Sequence, residues 1–275
     1  MDQVISASRR TDIPAFYLRW FMEHLKKGEM EVPNPFNRRQ VKRIQLQPEF
    51  VGWIVFWSRN YHLYLKNREF FADYRLFFHF TINPPNDILE PDMIDPRKAF
   101  QQMEKLVACH GPERIIWRYD PITYYQWRGT LCSNHQADVF REYAKIVGSL
   151  GIRRCYTSIA TVYPKMIKRA QNFPTFNFLE PALKHQRQIL HDMAEIAADS
   201  GIQLFICSND KLVNEPLIQK GHCIDGRLLN QIGRAAVSEI PLPTRPDCGC
   251  TASIDIGDYL KTPCKYNCLY CYARR

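Results

Sequence analysis

Thr262-Pro-Cys-Lys-Tyr-Asn-Cys-Leu-Tyr-Cys-Tyr-Ala273 is the most informative stretch of the sequence. Its three cysteines, Cys264, Cys268 and Cys271, follow the spacing C-x3-C-x2-C. Because the loops between them are so short, the three thiolates can converge on one metal centre. Zinc closes a structural site with four ligands, whereas a four-iron cluster can take three cysteines and leave one iron open. The spacing therefore favours a [4Fe–4S] cluster, with a zinc or iron site that borrows another cysteine as the alternative.

Four further cysteines precede this motif in the last quarter of the chain: Cys207, Cys223, Cys248 and Cys250. Each of them alone can be a buried thiol, which is a common state of cysteine. The C-x-C pair, however, lies in a Gly- and Pro-rich loop, and such loops run over the surface. Four thiols also complete the ligand set of a fully cysteine-ligated iron–sulfur cluster or of a zinc ion. We therefore expect these cysteines to bind a second, auxiliary centre.

Apolar runs of strand length alternate with helical stretches in the rest of the chain, which indicates an α/β protein with a parallel sheet or barrel. The predicted strands are 4–8, 51–57, 76–82, 114–119, 153–159 and 203–207. The predicted helices are 14–27, 96–109, 134–150, 183–200 and 228–237, and residues 29–46 are expected to form a hairpin. The Pro-rich segment 240–246 predicts a boundary between a barrel-like domain, 1–239, and a cysteine-rich tail, 240–275.

Polar residues follow each predicted strand, and in parallel barrels the active site collects at the carboxyl ends of the strands. Successive strand residues point to opposite faces, so that an apolar face can pack under the helices while polar residues face an interior. The residues expected to face that interior are Ser6, Ser8, His79, Thr81, Arg118, Asp120 and Asn209. Such a cluster is costly unless a ligand or water meets it, and it therefore predicts a binding site.

Individual members of this cluster have two interpretations. Arg118 and Asp120 are candidate catalytic residues that bind substrate together, or else a structural ion pair. Arg10 is a third catalytic candidate, because arginine at a strand end can hold a carboxylate or phosphate with two hydrogen bonds; alternatively it neutralises Asp12 or Asp120. Asp12 itself is expected to cap the first helix. The candidate cofactor-binding residues are Ser8, Thr81 and Asn209.

The motif spacing and Tyr270 resemble the cluster motif of the radical S-adenosylmethionine enzymes, and the string CLYCYA, 268–273, is most similar to their spore photoproduct lyase-like branch. The resemblance implies an open iron that binds S-adenosylmethionine, radical chemistry on an unknown substrate, and an electron donor such as ferredoxin or flavodoxin. Those enzymes normally carry the motif after the first strand, whereas here it follows the sixth. The resemblance also implies a TIM-like partial (β/α)6 barrel, with the iron–sulfur tail folded over the barrel mouth.

Segments outside the motif resemble a bacterial family of unknown function numbered 1848. These segments are 5–14, 116–121 and 248–259. The resemblance spans most of the chain but implies no particular substrate.

The net charge of +9 suits an anionic partner, such as nucleic acid or a phosphorylated substrate. Aromatic and basic residues alternate in 57–61, where they can stack bases or line a small-molecule pocket. Three functions stay open: a radical enzyme acting on a small molecule or peptide, a nucleic-acid-modifying enzyme, and a non-catalytic metal-stabilised binding protein. No apolar run approaches the roughly 20 residues of a membrane helix, and the start lacks a signal-peptide pattern. We therefore expect a cytoplasmic protein with no membrane partner.

Overall fold

The computed structural model describes residues 2–35, 37–233 and 235–273. Residues 1, 36, 234, 274 and 275, which the predicted domains and elements include, lie outside these ranges. The strands are β1 (Gln3–Ala7), β2 (Glu29–Pro33), β3 (Val41–Gln45), β4 (Val51–Ser58), β5 (Leu76–Thr81), β6 (Ile115–Arg118), β7 (Tyr124–Trp127), β8 (Thr130–Ser133), β9 (Arg154–Thr157), β10 (Phe176–Leu179), β11 (Gln203–Cys207), β12 (Ile218–Gly221) and β13 (Ile254–Asp255). The helices are α1 (Ile13–Phe16), α2 (Leu18–Lys27), α3 (His62–Lys66), α4 (Pro96–His110), α5 (Ala137–Ser149), α6 (Pro164–Ala170), α7 (Leu183–Asp199) and α8 (Gly226–Gly233).

The main sheet has eight strands in the order β12-β11-β9-β6-β5-β4-β1-β13, and all its pairs are parallel. Its six central strands are the six that the sequence predicts. Two more strands flank them, so the predicted count of six is too small. From β1 the sheet grows on one side in the sequence order β4, β5, β6, β9, β11 and β12, whereas β13 pairs with the other side of β1. The structure is therefore a mixed α/β fold built on a large parallel sheet.

The sheet is not a closed barrel, because β12 and β13 form its two edges and no ladder joins them in the described residues. The segments next to these edges nevertheless touch. The backbone N–H of Thr251 donates to the carbonyl of Ile224 at 2.9 Å, and the N–H of Gly226 donates to the hydroxyl of Thr251 at 3.0 Å. The open side of the sheet is thus bridged by irregular chain rather than by paired strands.

The two faces of the sheet differ as the predicted alternation requires. Phe78, Phe80 and Trp117 belong to the large core that packs under the helices, while Phe77 and Ile116 belong to a smaller core on the opposite, inner face. Helix α8 contributes two buried leucines to this inner core, which lies near the amino ends of the strands. The inner face is therefore filled at one end of the strands and remains polar at the other.

The helix predicted at 14–27 is divided into α1 and α2 at Tyr17. Asp12 caps α1 as predicted, since its carboxylate accepts a hydrogen bond from the N–H of Ala15 at 2.9 Å. The predicted hairpin is confirmed as the antiparallel pair β2–β3. A second sheet, β10-β7-β8, was not predicted, because its four-residue strands are too short to show a clear period.

Candidate metal centres

Asp255 joins the C-terminal segment to the carboxyl end of β1. Its buried carboxylate accepts hydrogen bonds from the hydroxyls of Ser6 and Ser8, at 2.7 and 2.6 Å. It also accepts from the backbone N–H groups of Arg9 and Gly257, at 2.8 and 3.0 Å. A buried carboxylate with this many donors is well satisfied. The contact therefore fixes the chain that leads into the cysteine motif against the end of the first strand.

The loop that carries the motif, residues 262–273, is called here the cysteine loop. Tyr270 anchors it: Arg59 donates to the Tyr270 hydroxyl at 2.6 Å and pairs with Glu90 at 2.9 Å, and the same hydroxyl hydrogen-bonds to Glu90. Burial raises the pKa of Tyr270 well above its ordinary value, so the phenol stays protonated. The N–H of Leu269 donates to the carbonyl of Leu89 at 2.9 Å. The loop is thus held by a buried polar network.

Two further contacts hold the two ends of the cysteine loop. The Tyr17 hydroxyl donates to the carbonyl of Pro263 at 2.7 Å. Arg169, on α6, donates to the carbonyl of Leu269 at 3.0 Å. Because Tyr17 and Arg169 are far apart in the sequence, the position of the loop depends on the assembled fold rather than on its own sequence.

The three motif cysteines line a common cavity of about 160 Å³, called here the motif cavity. This volume far exceeds the ~10–15 Å³ that one water molecule needs. Burial raises the pKa of Cys264 to about 11 and that of Cys268 to about 12, because desolvation disfavours the thiolate. A bound metal cation reverses that preference, since it stabilises the thiolate directly. The cavity and the thiols therefore fit a metal centre.

The four upstream cysteines also lie together, in what is called here the cysteine row. The sulfurs of Cys207 and Cys223 are 3.5 Å apart, and the N–H of Ile224 donates to the Cys250 sulfur at 3.4 Å. All four cysteines belong to the smaller core on the inner face of the sheet. Arg118 donates to the Cys223 sulfur at 3.3 Å. The structure thus brings together the four residues that the sequence assigned to a second centre, and what they bind stays a prediction.

Both sets differ from a compact single-ion site. In the described ranges, the ligand-type groups whose atoms all lie within 4.8 Å of one another are His191, Asp192 and Glu195, on the exposed surface of α7. The three motif sulfurs are spread more widely than this. The three motif cysteines therefore do not form a compact site for one ion, and a four-iron cluster, in which each cysteine binds a different iron, stays a prediction.

A second cavity of about 250 Å³, called here the inner cavity, lies between the two cysteine sets. Cys271 borders it on one side, and Cys207 and Cys223 border it on the other. The residues that line both cavities are Arg9, Trp57, Arg59, Thr81, Tyr270, Cys271 and Tyr272. The two cavities are therefore neighbouring parts of one site.

The inner cavity is positively charged. Its described lining includes one carboxylate, that of Asp120, and four arginines: Arg9, Arg59, Arg118 and Arg245. Arg118 pairs with Asp120 at 2.7 Å, and the hydroxyl of Ser158 donates to the other oxygen of Asp120. The predicted ion pair is thus present and in contact with the cavity, with Arg118 buried and Asp120 partly exposed. Arg59 and Arg9 pair with Glu90 and Asp255, so within the described ranges Arg245 is the lining guanidinium that has no carboxylate partner, and it favours an anionic ligand.

The other predicted site residues are placed differently. Thr81 lines both cavities, whereas Arg10 lines the motif cavity and donates to the carbonyl of Gly257 at 3.1 Å. Ser8 also lines the motif cavity, but its hydroxyl already donates to Asp255. The described lining of the inner cavity includes Ser208 and not Asn209. The alternation of β11 ends at Ser208, whose φ of 50° turns the next residue away.

Sequence reasoning missed the residues that hold the cysteine loop. Arg59 follows the second predicted strand, and this position at a strand end is the one sequence feature that points to a functional role. Glu90 and Arg245 lie in irregular chain, where no periodicity marks them. Asp255 has no sequence signal apart from its place in the segment 248–259, although its carboxylate joins the tail to the end of β1.

Fold and site together define a mixed α/β protein with two groups of cysteines at the carboxyl edge of a parallel sheet. The chain belongs to the family described as Domain of unknown function (DUF1848), which matches residues 4–273. No curated protein matches the sequence. In the described residues, no helix is both long and apolar enough to cross a membrane.

Among solved structures, the chain is similar to one titled as a crystal structure of D-hydantoinase. The identity is 12%, the TM-score is 0.32, and the match covers 59% of this chain. It covers 35% of that chain, so this protein spans about a third of its length. A likeness this weak carries no argument about fold or function.

Proposed function

We propose that the protein is a radical S-adenosylmethionine-type iron–sulfur enzyme, with a [4Fe–4S] cluster on Cys264, Cys268 and Cys271. The observation that supports this most strongly is that all three cysteines line one cavity, which adjoins a second, arginine-lined cavity. When bound, such a cluster supplies the electron that cleaves S-adenosylmethionine, and this starts radical chemistry on a substrate.

An open coordination position is supported by what surrounds the motif cysteines. None of the other cysteines in the described ranges lines the motif cavity. Asp12 does line it, but its carboxylate is occupied by the N–H groups of Ala15 and Arg59 and by the hydroxyl of Ser58. Because no free fourth protein ligand adjoins the motif in the described part of the chain, a ligand from outside the chain fits better than a closed zinc site.

The chain's own residues would bind, orient and shield the reactants. Thr81 and Arg10 are the predicted residues best placed to bind the cofactor, since the Ser8 hydroxyl is engaged by Asp255. Arg118 and Asp120 would hold the substrate in the inner cavity. The buried anchor at Tyr270 would keep water out of the junction between the cavities, which protects reactive species from side reactions.

The first prediction tests cleavage of S-adenosylmethionine. Anaerobically reconstituted protein should be brown and, with dithionite as reductant, should form 5′-deoxyadenosine. The triple variant Cys264→Ala, Cys268→Ala, Cys271→Ala should lose both the colour and the product, because it lacks every ligand of the cluster. Cys109→Ser is the matched control, since Cys109 is exposed on α4. Cluster-replete protein that forms no 5′-deoxyadenosine would contradict the enzymatic proposal.

The second prediction concerns the charge of the substrate. Arg245 donates to the Ser208 hydroxyl at 2.8 Å and forms no ion pair with a carboxylate in the described ranges. Charge-assisted hydrogen bonds contribute ~1.5–3 kcal/mol each, so Arg245→Ala should weaken pyrophosphate binding by about 10–100-fold. Isothermal titration calorimetry at two salt concentrations measures this, with the exposed Arg19→Ala as control.

Two outcomes of that titration would redirect the proposal. Equal affinity in wild type and Arg245→Ala would remove the inner cavity as the anion site. Strong, steeply salt-dependent binding of a single-stranded oligonucleotide, without binding of pyrophosphate, would instead favour a nucleic acid substrate, because many phosphate contacts release many counterions.

A further inference from the structure

Cys207 and Cys223 form a close pair of thiols on two neighbouring strands. Cys207 is the last residue of β11, and Cys223 follows the end of the parallel strand β12 by two residues. Their sulfurs are 3.5 Å apart. A disulfide joins two sulfurs at about 2.05 Å, so a movement of about 1.5 Å brings this pair to bonding distance. The two thiols are therefore placed to form and break a disulfide.

The pair is set apart from the rest of the cysteine row. In the described ranges, no third histidine, cysteine, aspartate or glutamate has a ligand atom within 4.8 Å of both sulfurs. Cys207 and Cys223 line the inner cavity, whereas its described lining does not include Cys248 or Cys250. A zinc ion takes four ligands, but a disulfide needs only two sulfurs. The arrangement thus fits the chemistry of a dithiol.

The two sulfurs have different surroundings. Cys207 is 3% exposed, whereas Cys223 is half-buried. Arg118 donates to the Cys223 sulfur at 3.3 Å through one Nη and to the Asp120 carboxylate at 2.7 Å through the other. A guanidinium beside a sulfur stabilises the thiolate, which is the form that attacks disulfides. Cys223 is therefore the attacking residue, and Cys207 is its buried partner.

Neighbouring residues fix the positions of both cysteines. The Nε2–H of the buried His79 donates to the carbonyl of Cys223 at 2.7 Å. A Cβ atom at Gly221 would lie 2.9 Å from the Cys207 sulfur, so the absence of a side chain at this position leaves room for that sulfur. Two groups that are already held together react with each other faster than with separate molecules. This favours an internal disulfide over two mixed disulfides.

We propose that Cys223 and Cys207 are a redox-active dithiol, which reduces a small anionic disulfide that enters the inner cavity. The cavity of about 250 Å³ provides space beside both sulfurs. The preference for an anion follows from Arg245, which lines the same cavity and has no carboxylate partner in the described part of the chain. This activity does not require a cluster on the motif cysteines.

The reaction consists of two thiol–disulfide exchanges. The Cys223 thiolate attacks one sulfur of the external disulfide, the external S–S bond breaks, and one half leaves as a thiolate that takes up a proton. The Cys207 sulfur then attacks Cys223 in the mixed disulfide and releases the other half. The external disulfide gains two electrons and two protons, which the protein loses as the Cys207–Cys223 bond forms. An external dithiol reverses the reaction and restores both thiols.

Peptide mapping of the full-length protein tests the proposal. After the wild type has reacted anaerobically with dithiodipropionate, alkylation and mass spectrometry should find Cys207 linked to Cys223. In Cys207→Ser the reaction should stop at a mixed disulfide on Cys223, and in Cys223→Ser residue Cys207 should stay a free thiol. The exposed Cys109→Ser is the control and should form the link as the wild type does. If Cys207→Ser does not fold, the map of the wild type still decides. Free thiols at both positions, or a bound metal ion that protects them, would overturn the proposal.

A second comparison tests the charge of the substrate. Cystamine has the same chain length as dithiodipropionate but carries two ammonium groups instead of two carboxylates. With each rate divided by the rate of the same disulfide with free cysteine, dithiodipropionate should react about 10-fold faster, the factor that one charge-assisted hydrogen bond contributes. Arg245→Ala should lose this preference and the exposed Arg19→Ala should keep it. Equal corrected rates in the wild type would overturn the anionic assignment.

The dithiol and the motif cluster can be separated by experiment. The variant Cys264→Ala, Cys268→Ala, Cys271→Ala should still form the Cys207–Cys223 link. Failure of S-adenosylmethionine cleavage by the wild type would leave this exchange unchanged, whereas loss of the link in the folded triple variant would contradict an independent dithiol.

Discussion

Replacing Asp255 with alanine should lower the free energy of unfolding by about 3–5 kcal/mol, because breaking a buried ion pair leaves an uncompensated charge. The Asp255 side chain is 5% exposed, and the guanidinium groups of Arg9 and Arg10 lie 3.5 and 3.8 Å from it. The hydroxyls of Ser6 and Ser8 would lose their acceptor as well. Urea unfolding measures the loss, and limited proteolysis should show faster cleavage in the segment 240–250.

Two variants make this measurement specific to the buried carboxylate. Asp255→Asn keeps the shape and part of the accepting capacity, so its loss should be smaller than that of the alanine variant. Glu29→Gln removes a carboxylate from an exposed pair with Arg43, and little change is expected because solvent screens such pairs. A loss in Asp255→Ala as small as that of Glu29→Gln would contradict the role assigned to Asp255.

Replacing Glu90 with glutamine should reduce iron retention by the motif cysteines by about 10–100-fold, the usual effect of removing a group that orients metal ligands. Glu90 is buried, pairs with Arg59 at 2.9 Å and accepts from Asn83 at 2.8 Å. Loss of the Glu90 carboxylate leaves the buried Arg59 guanidinium without its ion-pair partner. Arg59 contacts Tyr270, which lies between Cys268 and Cys271 in the motif. Iron content after gel filtration of reconstituted protein, measured against a chelator series, gives the change in affinity.

Two variants at neighbouring residues serve as controls for this effect on iron retention. Asp87→Asn alters an exposed carboxylate three residues away, and it should retain iron as the wild type does. Tyr270→Phe removes only the hydroxyl and should give a smaller loss than Glu90→Gln, since Arg59 and Glu90 still pair. Full iron retention by Glu90→Gln would show that the cysteine loop is held in place without the buried network.

Much of the sheet is predictable because each of its central strands is a local run of mainly apolar residues. The strand β4 is a continuous apolar run, so its existence needs no knowledge of its neighbours. The edge strands β12 and β13 lack this signal: β12 reads IQKG and β13 has two residues. These two segments are strands because they pair with β11 and β1, and this pairing leaves no signal in their own local sequence.

The same distinction applies to the candidate site. The cysteine motif is recognisable because its residues are close in sequence, whereas its anchors are not. Arg59 and Tyr270 are 211 residues apart, and Glu90 and Tyr270 are 180 apart. Asn209 is not among the described residues that line either cavity, because strand alternation ends at Cys207 and the backbone at Ser208 leaves the extended conformation. Side-chain alternation therefore predicts which face a residue points to only up to the last residue of the strand.

The pairing of β13 with β1 has a consequence for synthesis of the protein. Ser6 and its partner Asp255 are 249 residues apart, and ribosomes add about 5–20 residues per second, so roughly 12–50 s separate their appearance. During this interval the nascent chain carries a β1 edge without its final neighbour, and an unpaired strand edge can template association with other chains. The cysteine row is complete once Cys250 has been added, whereas the three motif cysteines are translated only after Asp255. A centre that needs Cys264, Cys268 and Cys271 together can therefore assemble only after every strand of the sheet has been translated, and a chaperone that covers the β1 edge should reduce association during this interval.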